Sequence, residues 1–156
     1  MNVTVKTLEP IRVAFVRHMG PYNEVGKAWE TVCMYLGKEG LLGPDAQFIG
    51  VCYDNPEVTP ADKIRYDACI TVAPEFQGEG PVGVQVLAGG AYGVTTHEGP
   101  YHKLNETYAK LYGQWLPQST YDLRNEPSLE FYLNDPNSTS PEDLLTDIYT
   151  PITHVK

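Results

Sequence analysis

Glu130 stands inside a short apolar run, between Leu129 and Phe131, where strand propensity disfavours a carboxylate and desolvation makes it costly. Two readings fit such a residue. It points to water from a half-exposed sheet, as most carboxylates do, or it stands in a poorly hydrated cleft. In the second case the chemistry is recognition of a delocalised organic cation, whose own hydration is weak. Each aromatic ring in the cleft adds about 0.5–2 kcal/mol of cation–π attraction. The chain holds 11 tyrosines and 2 tryptophans against 4 phenylalanines, a bias toward rings that combine apolar area with a polar handle. Trp29, Tyr108, Trp115, Tyr132 and Tyr149 could line such a cleft. Each also fits ordinary core packing, because aromatics at helical spacing are usually core.

Other chemistries find little support. No Cys/His group has zinc spacing, no Gly-rich phosphate motif occurs, and there is no G-x-S-x-G elbow. The expectation is therefore no metal and no cofactor. With 11 basic and 20 acidic side chains the net charge is −9, which repels phosphate and argues against direct nucleic-acid binding. No apolar run approaches a membrane span or a signal peptide, and Cys33, Cys52 and Cys69 are an odd number without close pairing. A cytoplasmic protein with reduced thiols is expected.

The elements that would position Glu130 follow from an internal repeat. His18-Met19-Gly20-Pro21-Tyr22 recurs as His97-Glu98-Gly99-Pro100-Tyr101, an offset of 79, and Tyr53-Asp54-Asn55-Pro56 is echoed by Leu133-Asn134-Asp135-Pro136, an offset of 80. Asp67 and Asp147 follow at equal distances from those prolines. Matched landmarks in one order indicate duplication. In each copy, alternation predicts two strands joined by a turn. The first pair is Val3–Val5 with Val13–Val16, turned near Glu9-Pro10. The second runs from Val82 to Val86 and from Ala91 to Thr96, turned at Gly89-Gly90.

A helical period follows each Gly-Pro-Tyr, carried by Val25, Ala28, Trp29, Val32 and Leu36, and by Leu104, Tyr108, Leu111, Tyr112 and Trp115, with Gly40 and Pro117 as stops. Two more strands close each copy, 47–53 with 66–72 and 128–133 with 146–152. The predicted fold is α+β: tandem β-β-α-β-β modules, residues 1–76 and 80–156, forming one domain over 1–156. It has about eight antiparallel strands, two helices on one face and a central groove at a pseudo-twofold axis.

The repeat also isolates the unusual residue. Ile49, Val51 and Tyr53 align with Leu129, Phe131 and Leu133, an apolar face in both copies. The opposite face carries Gly50 and Cys52 in the first copy but Glu130 and Tyr132 in the second. A carboxylate on one side of the axis thus faces a missing side chain, Gly50, on the other. By contrast Asp67 with Asp147, and His18 with His97, match each other and read as structural pairs.

The order of the Gly-Pro-Tyr helix opening, then Leu129-Glu130-Phe131-Tyr132-Leu133-Asn134-Asp135-Pro136, then Asp147-Ile148-Tyr149, resembles the GyrI-like small-molecule-binding family over essentially the whole chain. That family includes stand-alone proteins and the effector-binding halves of multidrug-responsive AraC-type and MerR-type regulators. The resemblance implies that Glu130 lies at the floor of a pocket and offsets the charge of lipophilic cations, with a role in sequestering or resisting toxic compounds. It also implies two other functions. One is hydrolysis of cyclopropane-containing DNA-alkylating toxins, with Glu130 activating water beside Tyr132 or Tyr149. The other is inhibition of DNA gyrase by protein contact. Met1 stands two residues ahead of the first predicted strand, so no helix-turn-helix is expected before it. A gene-regulatory role would need a regulator as partner.

Overall fold

A computed structural model describes residues 1–154. The chain forms β1 (Thr4–Leu8), β2 (Ile11–Met19), α1 (Gly26–Lys38), β3 (Phe48–Cys52), β4 (Arg65–Thr71), β5 (Gly83–Leu87), β6 (Gly90–Glu98), α2 (Leu104–Lys110), β7 (Tyr121–Leu123), β8 (Ser128–Tyr132) and β9 (Leu145–His154). It is an α+β fold of antiparallel strands. The strands divide between two compact units, Glu9–Gly89 and a unit combining Met1–Leu8 with Gly90 onward.

Within Glu9–Gly89 the strand order is β3-β4-β2-β5. α1 packs on one face of that sheet through Ala28, Val32 and Leu36, spaced at i, i+4 and i+8, against Ala14, Tyr66, Ala68 and Ile70. The predicted stop at Gly40 is observed. Its φ of +70° lets Leu41 N–H reach back to the Leu36 carbonyl, 2.8 Å, and close the helix end. In the other unit the order is β1-β6-β9-β8, with β7 pairing the far end of β9.

The predicted hairpins do not form. β1 pairs with β6, from Thr4↔Val94 to Leu8↔Gly90, and β5 pairs with β2, from Ile11↔Leu87 to Phe15↔Gly83. Each sequence repeat thus gives its first strand to the unit built from the other repeat. In the first copy a two-residue hairpin between Leu8 and Ile11 would need positive φ at Glu9 or Pro10, which the proline, held near −65°, disfavours. The second copy has Gly89 and Gly90 at its turn and exchanges its strand as well.

α2 also departs from the regular helix expected. After Lys110 it widens into a π turn, Leu111–Trp115, in which Leu116 N–H donates to the Leu111 carbonyl. It then makes a last turn, Leu116–Gln118, that includes Pro117. In a regular helix the Pro117 ring would meet the carbonyl of Gly113, and the wider turn takes that carbonyl out of register. Pro117 therefore lies inside the helix, and the Ser119 hydroxyl ends it by donating to the Leu116 carbonyl at 2.7 Å.

Candidate functional site

Residues paired across antiparallel strands share a face, so the register sorts the side chains around Glu130. Glu130 pairs with Ile148 and Tyr132 with Thr146. On the same face, Thr95 and His97 of β6 pair with Ile148 and Thr146. This face lies under α2, because His97 Nδ1 and Thr107 Oγ1 are 2.7 Å apart and Tyr108 reaches Glu130. His97 Nε2 also contacts the Pro100 carbonyl, as His18 Nε2 contacts that of Pro21. The two histidines thus close equivalent Gly-Pro turns.

Glu130 is buried, 6% exposed. Tyr108 of α2 donates to its Oε2 and Tyr132, two residues along β8, donates to its Oε1, both at 2.6 Å. Bonds this short are typical of a phenol on a carboxylate. No basic side chain forms an ion pair with it among the described residues. Ser128 Oγ lies 3.4 Å from the Tyr108 hydroxyl, Tyr101 packs edge-on to Tyr132 at 5.5 Å, and Tyr112 packs edge-on to Tyr108 at 6.0 Å. Burial, then the charges of Asp135 and Glu130, push the Tyr101 phenol above its ordinary value. A carboxylate has about four acceptor sites. Two phenols fix its position and leave capacity to accept from, or face, a cation.

Tyr101 and Ser128 are missed by sequence reasoning. Tyr101 belongs to the repeated Gly-Pro-Tyr, whose first copy, Tyr22, packs edge-on to Tyr66 and donates to the Asp54 carbonyl. The repetition marks it as structural and hides its second contact.

Not every candidate comes to Glu130. Tyr149 pairs with Leu129 and therefore lies on the opposite face, where its ring packs at 4.5 Å on Phe131 and 5.8 Å on Tyr92. The Arg124 guanidinium sits 4.9 Å over Tyr92. Trp115 stacks on Tyr121 and crosses the strand at Gly93, where an added Cβ would stand 3.1 Å from its Cη2. Trp29 and Gly50 belong to the other unit. There Trp29 Nε1 donates to the Tyr66 hydroxyl at 3.0 Å and Gly50 pairs with Ala68.

A cleft of about 810 Å³ along β1, β6 and α2 gathers Lys6, Lys103 and Lys110 with Glu98, Glu106 and Asp147, and Glu130 is not among its lining residues. These three lysines form a local cluster that composition alone does not reveal. The alternating carboxylates leave the cleft without a single sign of charge.

The two matched aspartates prove unequal. Asp67 is fully buried and accepts from Arg17 Nε at 2.7 Å and Arg17 Nη2 at 3.0 Å, the Tyr53 hydroxyl at 2.7 Å and Gln85 Nε2 at 2.8 Å. Asp147 is half-buried and accepts from Thr96. Burial, then the hydrogen bond to Asp67, push the Tyr53 phenol up to about 12. The unfolded chain loses that proton near pH 10, whereas the folded chain holds it to about 12. Stability from this group is therefore complete below pH ~10 and falls as pH rises toward ~12. With solvent screening of the half-buried ring allowed for, about 1–2 kcal/mol should be lost across that window. Tyr53→Phe should flatten this part of the stability–pH curve, and an unchanged slope would refute the assignment.

The sequence of residues 1–153 matches the GyrI-like family, described as a small-molecule-binding domain. The chain belongs to that family. A DNA gyrase inhibitor of Enterobacter lignolyticus is 30% identical over 92% of this chain and 93% of its own. The probable transcriptional regulator YgiV of Escherichia coli K12 is 32% identical over 97% of this chain and 96% of its own. The solved EcmrR–DNA complex matches the fold with a TM-score of 0.85 at 21% identity, covering 99% of this chain but 58% of the EcmrR chain. The GyrI-like domain is thus a small-molecule-binding domain that shares its fold with part of a larger DNA-binding protein. No helix among the described residues is long and apolar enough to cross a membrane.

Proposed function

We propose that this GyrI-like domain is a receptor for organic cations, anchored by Glu130 with Tyr108, Tyr132 and Tyr101 around it. The observation that carries this reading is a buried carboxylate whose two oxygens are each held by a phenol at 2.6 Å, with no basic partner among the described residues. Neutral donors fix the charge in place without cancelling it, which suits attraction of a weakly hydrated cation. Family membership supports a small molecule as the ligand.

Titration with tetraphenylphosphonium, followed by tryptophan fluorescence, tests the proposal. Wild type should bind it saturably and should bind tetraphenylborate, of the same shape and opposite charge, far more weakly. Glu130→Gln should weaken the cation more than about tenfold, or 1.4 kcal/mol, with circular dichroism unchanged. Equal affinity in the two proteins would remove Glu130 from the site.

A second reading, inhibition of DNA gyrase by protein contact, is favoured by the relatives named for that activity. In a supercoiling assay such contact should survive Glu130→Gln, whereas an effect that vanishes with this one charge would point back to the small-molecule site.

A further inference from the structure

The two repeats act as controls for each other. Glu130 replaces Gly50, Thr146 replaces Tyr66 and Thr150 replaces Ile70. All three changes fall on the face under α2. They install a buried carboxylate and two hydroxyls where the other unit has no side chain, a phenol bonded to Trp29, and an aliphatic group. The unit with Gly50 and Ile70 shows that the fold does not need the polar set. Thr146 and Thr150 are fully buried, and their Oγ1 atoms have no hydrogen-bond partner among the described residues. Such a hydroxyl is destabilising by comparison with an aliphatic group of the same shape.

The register places these hydroxyls with respect to the anchor. Ile148 is directly opposite Glu130, and Thr146 and Thr150 lie two residues to either side of it. Each is therefore a diagonal neighbour of Glu130, at about 7–8 Å. Thr150 also pairs with Gly93, the residue that Trp115 crosses at close range. The indole thus covers this part of the face from the end of the π turn, a helical irregularity frequent at functional sites.

We infer that Thr146 and Thr150 read a hydrogen-bonding group on the ligand held by Glu130. The preferred ligand is then an organic cation carrying a hydroxyl, carbonyl or amide oxygen within about 7–8 Å of its charge, rather than a wholly lipophilic one. Access to Thr150 requires displacement of the Trp115 indole. This inference rests on the reading of Glu130 as the cation anchor.

The test compares tetraphenylphosphonium with (4-hydroxyphenyl)triphenylphosphonium, which differ by one hydroxyl, on wild type, Thr146→Val, Thr150→Val and Glu130→Gln. Wild type should prefer the hydroxylated cation by about fivefold. One or both valine variants should abolish that preference, and both should melt no lower than wild type. A hydroxyl serving only the fold would instead lower the melting temperature on removal, and that result would overturn the inference. So would a wild type indifferent to the hydroxyl, or a preference that survives both valines. Glu130-dependent binding without such discrimination would sink this inference alone. Binding insensitive to Glu130→Gln, or no binding of either cation, would sink both readings.

Discussion

Asp67→Ala is expected to lower folding stability by about 2–4 kcal/mol, read as a fall in the urea midpoint with the slope unchanged. Four strand segments meet at this carboxylate: Arg17 from β2, Tyr53 just after β3, Asp67 itself on β4 and Gln85 from β5. Its removal leaves Tyr53 and Gln85 with unanswered donors and Arg17 without its ion pair. The cost falls toward the lower end of the roughly 3–5 kcal/mol typical of a fully buried pair, or beneath it, because the Arg17 side chain is 45% exposed and can turn to water. Arg17 is held more firmly protonated by this contact, chiefly through its hydrogen bond to Asp67. Asp147→Ala is the internal control. That residue is half-buried with one hydroxyl on it, so its loss should cost about 1 kcal/mol or less. Equal costs at the two positions would mean that the cluster does not hold the strands.

The difference between these aspartates shows what duplication reveals and what it hides. The landmarks at offsets of 79 and 80 locate the helices and strands, because periodicity and repeat agree at each of them. The same offsets place Thr96 where the first copy has Arg17, and Leu133 where it has Tyr53, so the ion pair gives way to a single hydroxyl and the phenol is lost while the aspartate is kept. Matched residues are not matched environments. Around Glu130 the partner two residues away, Tyr132, is legible from strand parity, and Tyr108 from helix period. The side of the sheet taken by Tyr149 is not, since it depends on pairing with Leu129 rather than with Glu130. Two irregularities depart from the sequence pattern. A π turn, Leu111–Trp115, precedes Pro117, which stands one residue before the helix ends, and the first strands pair across the repeats instead of forming the hairpins that adjacency in sequence suggests.

The exchanged first strands carry the other large expectation. In a protein lacking residues 1–8, the unit that loses structure should be the one built from Gly90 onward. Hydrogen exchange should speed up about a hundredfold or more at β6, from Gly90 to Val94, while β2 and β4 keep their protection. β1 is mostly exposed, so little apolar burial goes with it. The loss is its ladder to β6 together with the bond from Thr95 Oγ1 to the Asn2 carbonyl at 2.8 Å. At about 0.5–1.5 kcal/mol for each hydrogen bond, the unit should lose roughly 2–4 kcal/mol. A hairpin of β1 on β2 would give the reverse pattern, with protection lost along Ile11–Phe15 and kept in β6. The side of the molecule that loosens therefore decides between the exchanged strands and the simple tandem repeat. β2 is also expected to keep its protection because its other neighbours, β4 and β5, are untouched by the deletion.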